Sequence, residues 1–268
     1  MPDLDIVVVN WNAGFKNKRA EYEKLIRLAG TNIDIMDAHW YWSWNDASWD
    51  KWLEKTPMQQ WTGFTYAEDI AYFRQMIKEF GFPDIRLASF EWNTGPVNAQ
   101  TYTTNQMALT QAEMMMQFIS GGLDYAVFWP VQWPDESSKI RSFVNTSTNV
   151  ANPVYHLLRF LGKMQGGMLL NSQELKTGKD MISLAVLNAD SKVLRICILN
   201  KNTKDMVTDV HTDLFPGMYF TEALTYRVNG DGSKYFLDKT GMLKSDKAEI
   251  LKFISKGISL TMLTFTEQ

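Results

Sequence analysis

Four times in its first part the chain sets a short apolar run ahead of an amphipathic stretch, and then the alternation ends. DIVVV (5–9) is β-branched and suits a buried strand. Residues 17–29 follow it, with Tyr22, Leu25, Ile26 and Ala29 at helical spacing and Gly30 as a stop. IDIM (33–36) leads through a long aromatic loop (37–63) into a helix over 67–80, stopped by Gly81 and Pro83. IRLASF (85–90) leads to a helix over 105–119, and LDYAVFW (123–129) to one over 153–164 that begins at Pro153. Strand and helix in strict alternation imply parallel βα units. Four units of about 40 residues each make roughly half of a (β/α)8 barrel.

After Gly166-Gly167 the texture changes. MISLAVLN (181–188), VLRICILN (193–200), YFTEALTY (219–226) and ISLTMLTF (258–265) are β-rich and separated by turns such as NADSK and NGDGS. This reads as an antiparallel β-sandwich. The expected organisation is α/β plus all-β: a partial TIM-type barrel over 1–165, then a sandwich over 166–268.

Composition divides the chain in the same way. All 10 Trp lie between Trp11 and Trp133. The net charge of -3 offers no electrostatic case for nucleic acid or an anionic membrane as a partner. A single Cys excludes a disulfide framework within the chain and a multi-cysteine metal site. No apolar run is long enough to span a bilayer, and the first residues lack the pattern of a signal peptide. Cytoplasmic and secreted locations both stay open.

Parallel barrels meet their ligands at the C-terminal ends of the strands. Past the first strand come Asn10, Trp11 and Asn12; past the second, Asp37, His39, Trp40, Tyr41 and Trp42. Past the third come Glu91, Trp92 and Asn93; past the fourth, Trp129, Gln132 and Trp133. There is no HExxH, no Gly-rich phosphate loop and no His/Asp cluster at ligand spacing, so neither a metal nor a cofactor is expected. Aromatic rings with a few amides and carboxylates suit a carbohydrate: rings cover the C–H face of a sugar, and polar groups bond its hydroxyls. The plainer reading of any one Trp is core packing.

Glu91 stands out, because a carboxylate following the apolar run ASF is costly to bury without a task or a partner. The plainer reading is an ion pair, with Arg86 or another strand-end cation. His39 is either a site member or a hydrogen-bonded structural residue. His156, His211 and Cys197 read as structural.

The stretches IDIMDAHWYW, LASFEWN and NPVYHLLRFL, in this order and followed by a sandwich, resemble the C-terminal half of retaining glycosidases of the (β/α)8 clan. The resemblance is to glycoside hydrolase family 51, the α-L-arabinofuranosidases; family 39 and the agarase-like families are more distant likenesses. It spans nearly the whole chain. It implies that Glu91, the Glu of EWN, is the nucleophile. It also implies that His39 lines the sugar site with Tyr41 beside it. Trp11, Asn12, Trp40, Trp92, Asn93, Trp129 and Gln132 complete the expected substrate-binding set.

One departure matters. The family carries its acid/base Glu in an Asn-Glu dipeptide at the end of the fourth barrel strand, and this chain contains no Asn-Glu. Asp37, Asp46 and Asp135 are weak substitutes near the rim. Half a barrel also leaves open edges. Three arrangements answer this: a separate polypeptide carrying the other half, self-association of two halves, or an open sheet with its edges covered by loops. Two function classes follow. One is the nucleophile half of a retaining glycosidase acting on arabinofuranosides or a related plant or algal polysaccharide. The other is a non-catalytic carbohydrate-binding or assembly protein derived from such an enzyme.

Overall fold

The computed structural model describes residues 4–10, 16–43, 47–59, 62–97, 102–133, 136–170, 181–211, 213, 215–241 and 250–267. They fall into two compact units. The first comprises Met1–Trp52, Thr56–Tyr102 and Glu113–Asn152; the second comprises Leu53–Lys55, Thr103–Ala112 and Pro153–Gln268. A parallel sheet threaded by helices is followed by antiparallel sheets, which is the fold class expected from the sequence.

The parallel sheet runs β1 (Val7–Asn10), β2 (Ile35–Ala38), β3 (Trp40–Trp42), β4 (Arg86–Thr94) and β5 (Tyr125–Phe128). β1 pairs with β2, β2 and β3 lie in succession along the same side of β4, and β5 takes the other side of β4. The order of strands in the sheet therefore follows the order in the chain, as it does around a barrel.

Helices α1 (Lys16–Ala29), α3 (Tyr66–Glu79) and α4 (Thr104–Gly121) connect these strands. In α1, Tyr22 and Ile26 sit one turn apart and are fully buried, so one stripe faces the core. α3 starts with a capping box: Thr65 accepts from the Glu68 N–H, and Glu68 accepts from the Thr65 N–H. Its buried face carries Ile70, Phe73 and Ile77. Gly121 ends α4 where a Cβ would meet Ile70 Cδ1 at 2.9 Å, so glycine permits the close approach of α4 to α3.

The expected loop over 37–63 is not uniform. It contains β3 and a short helix, α2 (Trp49–Glu54). β3 exists because β4 runs to Thr94 and offers a pairing edge beyond Ile85–Phe90, the reach of the strand expected there.

In the second unit, β6 (Met168–Leu169), β7 (Met181–Leu187), β8 (Val193–Asn200), β10 (Met218–Val228), β11 (Tyr235–Gly241) and β13 (Ser259–Glu267) form a six-stranded sheet. Its order is β11-β10-β13-β8-β7-β6. β9 (Met206–His211) pairs with β12 (Ile250–Ser255) as a second, two-stranded sheet. Ile196, Ile198, Leu263 and Phe265 pack with Val210, and Leu251 and Phe253 pack against that cluster, so the two sheets share a core. The sequence reading found four of these strands. β11 escaped it because every one of its residues is exposed, leaving no burial alternation to read. Helix α6 (Val154–Gly162), which precedes the expected boundary at 165, groups with this unit. Cys197 is buried there, its sulfur 3.5 Å from Met164 Sδ.

Candidate active site

The site forms where β2 gives way to β3 and where β4 carries a bulge. β2 pairs with β4 up to Asp37 opposite Ala88, and β3 resumes with Trp40 opposite Trp92. Two residues on one strand therefore face three on the other. The β5 side shows the same surplus: Ser89 opposes Ala126 and Trp92 opposes Phe128, so Phe90 and Glu91 share the step of Val127. A bulge of this kind re-aims side chains. Here it leaves Glu91 with 32% of its side chain exposed, between fully buried Ser89 and Trp92.

Three side chains converge on or behind this carboxylate. Tyr41 donates its hydroxyl to Glu91 Oε1. His39 Nδ1 lies 3.5 Å from Glu91 Oε2, and His39 Nε2 lies 3.0 Å from Asp37 Oδ2. Asp37 is fully buried; its Oδ1 accepts the Phe90 N–H at 2.7 Å, and its carbonyl accepts the Tyr22 hydroxyl at 2.5 Å. Burial pushes the His39 pKa down, but the hydrogen bond to Asp37 and the charges of Asp37 and Glu91 outweigh it, and the pKa stands above 6.5. Burial, then the hydrogen bond to Glu91, raises the Tyr41 hydroxyl well above the usual phenol range, so it stays a donor. Arg86, considered as a partner for Glu91, instead bonds Asp5 and the Tyr125 hydroxyl.

The other expected site residues separate by strand parity. Trp40 and Trp92, opposite each other in register, both point to the helix side and are buried. Phe118 of α4 packs on both, at 5.7 Å from Trp40 and 5.2 Å from Trp92, and the Trp40 indole donates to Asp69 of α3 at 3.0 Å. Neither ring is presented to a ligand.

Asn93 is buried and bonds the carbonyls of Trp129 and Arg141, which ties β4 to the segment after β5. Gln132 is exposed and donates to Asn149 at 3.1 Å. Trp129 and Trp133 are both exposed, with ring centres 5.4 Å apart at 55°. Trp11, Asn12, Asp46 and Asp135 lie outside the described residues.

Asp37 is the site residue whose part the sequence reading missed. The signal was present: Asp37 and His39 stand two apart, which in a strand places them on one face. Among the described residues no group of three or more His, Cys, Asp or Glu has the arrangement of a metal site, and no helix is long and apolar enough to cross a membrane.

No protein-family model and no curated protein sequence matches this chain. Solved structures do. The α-L-arabinofuranosidase of Thermotoga maritima, in complex with arabinose, superposes with a TM-score of 0.67 at 12% identity, covering 100% of this chain and 58% of that one. Another arabinofuranosidase gives 0.71 at 12% identity, covering 98% and 58%. A family 30 endoxylanase from Clostridium papyrosolvens C71 gives 0.62 at 11% identity, covering 98% and 56%. The chain thus spans somewhat more than half the length of the structures it matches. By fold, it is a partial (β/α) barrel with its following β-sandwich, the architecture found in glycoside hydrolases of families 51 and 30.

Proposed function

We propose that Glu91 is the nucleophile of a retaining glycosidase site, acting on arabinofuranosides or a related plant or algal polysaccharide. The observation that carries this reading is the placement of Glu91: bulge-borne, one-third exposed, and held by Tyr41 and His39. In such a reaction a carboxylate oxygen forms a bond to the anomeric carbon while the bond to the leaving oxygen breaks. A second carboxyl about 5–5.5 Å away first protonates that oxygen and then activates water.

In this reading the second carboxyl comes from the part that completes the barrel, on a second polypeptide or on more of the same one. Among the described residues, β1 and β5 each pair on one side only. Val7 and Val9 of β1, and Tyr125 and Val127 of β5, are exposed at alternate positions. Unpaired edge strands that expose apolar residues in this way call for an occupant beside them. The solved structures, of which this chain covers 56–59% in the arabinofuranosidases and family 30 xylanases, leave room for one.

A dinitrophenyl arabinofuranoside tests the nucleophile without that part. Dinitrophenolate leaves without protonation, so Glu91 by itself suffices to form the ester. Mass spectrometry of the treated chain is expected to show one glycosyl adduct on the peptide containing Glu91, absent in Glu91→Gln. An adduct elsewhere, or none, overturns the assignment.

A second reading, carbohydrate binding without turnover, is favoured by the exposed Trp129–Trp133 pair, which offers rings to a sugar face. It predicts binding of arabino-oligosaccharides that survives Glu91→Gln and is lost with Trp129→Ala.

A further inference from the structure

We infer that Asp37 is a positioning residue that holds His39 as an imidazolium against Glu91. Its catalytic consequence rests on reading Glu91 as the nucleophile; the charge state of His39 does not. His39 presents one ring nitrogen to Asp37 Oδ2 at 3.0 Å and the other to Glu91 Oε2 at 3.5 Å. Ionised carboxylates only accept, and a neutral imidazole has one N–H to give. A neutral ring would therefore leave one nitrogen lone pair facing a carboxylate oxygen. The protonated ring donates to Asp37 and turns its second N–H and its charge toward Glu91.

Asp37 is built to act on the ring in this way. It is fully buried, and its Oδ1 is occupied by the Phe90 N–H at the bulge that carries Glu91. Its carbonyl is tied to Tyr22 of α1. The carboxylate is thus fixed on several sides, with Oδ2 directed at His39, its cationic partner among the described residues. A low-dielectric surrounding makes a charge so placed act strongly on its neighbour. The groups facing His39 are Asp37 from β2 and Glu91 from β4. Tyr41 of β3 bonds Glu91, and Arg141 acts on the Tyr41 hydroxyl.

The result is a carboxylate bonded by Tyr41 at Oε1 and faced by the charged His39 ring at Oε2. The attraction at Oε2 lasts while the ring is protonated. Asp37 thereby sets the pH above which Glu91 loses the positive charge beside it.

The chain has 3 His, so NMR titration of the imidazole signals resolves them; loss of one set in His39→Gln assigns it. In the unaltered chain, His39 is expected to titrate above the ordinary 6.5. In Asp37→Asn, which keeps an acceptor for the Phe90 N–H, its pKa is expected to fall by about 1 or more. In Glu91→Gln, His39 is expected to remain above 6.5. An unchanged titration in Asp37→Asn overturns the inference. So does a fall to the ordinary value in Glu91→Gln alone, and that arm decides the matter should Asp37→Asn fail to fold. Failure of the nucleophile reading shows separately, as a missing adduct on Glu91 with the His39 titration as expected.

Discussion

The hydroxyl of Tyr41 meets Oε1 of Glu91, joining a strand that the sequence had hidden inside a loop to the bulge of its neighbour. Neither residue alone defines a site. Tyr41 reaches Glu91 because β3 pairs with the far end of β4, and Glu91 is available because the bulge leaves it partly exposed.

Removing that hydroxyl tests its worth. A hydrogen bond to a charged group contributes about 1.5–3 kcal/mol, so Tyr41→Phe is expected to slow release of dinitrophenolate roughly 10- to 100-fold. The thermal midpoint should change little beside that loss. A stopped-flow burst measurement, paired with thermal unfolding, checks both halves.

Trp40 and Trp129 should respond in opposite ways. Trp40 is buried and donates to buried Asp69, so Trp40→Phe leaves a carboxylate short of a donor. The expected cost is about 1–3 kcal/mol of stability in urea unfolding. Trp129 is exposed, so Trp129→Ala is expected to stay within about 0.5 kcal/mol in the same experiment while weakening sugar binding by calorimetry.

The raised pKa of His39 makes stability depend on pH with a definite sign. A group whose folded pKa exceeds its unfolded value stabilises fully below the unfolded value. That contribution disappears as pH rises through the folded value. The difference in thermal midpoint between the unaltered chain and His39→Gln should therefore be largest below 6.5 and shrink toward alkaline pH. A difference that grows with pH would contradict the geometry.

Cys197 offers a check on the other face of β8, which packs on Met164. It is buried, and burial pushes its thiol up to about 12. Native protein is expected to resist iodoacetamide at neutral pH, and urea-unfolded protein to react with one equivalent. Rapid native labelling would mean that this face is open.

Much of this was legible in the sequence through periodicity. Alternating strands and helices marked the parallel sheet, and β-rich runs between turns marked the sandwich. Glu91, His39 and Tyr41 could be named as a group because each follows an apolar strand core, where a parallel barrel presents its ligands. The assignment of Trp40 and Trp92 was harder. Residues 40–42 looked like loop, and in a loop HWYW offers four neighbours of equal standing. In a strand, parity separates them. His39 and Tyr41 face Glu91, while Trp40 and Trp42 are buried.

The sequence by itself thus determined the order of elements, the break between a parallel and an antiparallel part, and the residue types at the strand ends. These are local matters, set by side-chain pattern and turn chemistry. The tertiary structure alone decided which face each side chain takes. It placed the extra residue of β4 at Phe90–Glu91, set a buried Asp37 behind His39, and turned two of the expected sugar-binding tryptophans into core. The physical reason is register: whether a strand continues, and where it bulges, depends on pairing with partners distant in the chain, such as Trp40 with Trp92 and Ser89 with Ala126, which no local pattern records.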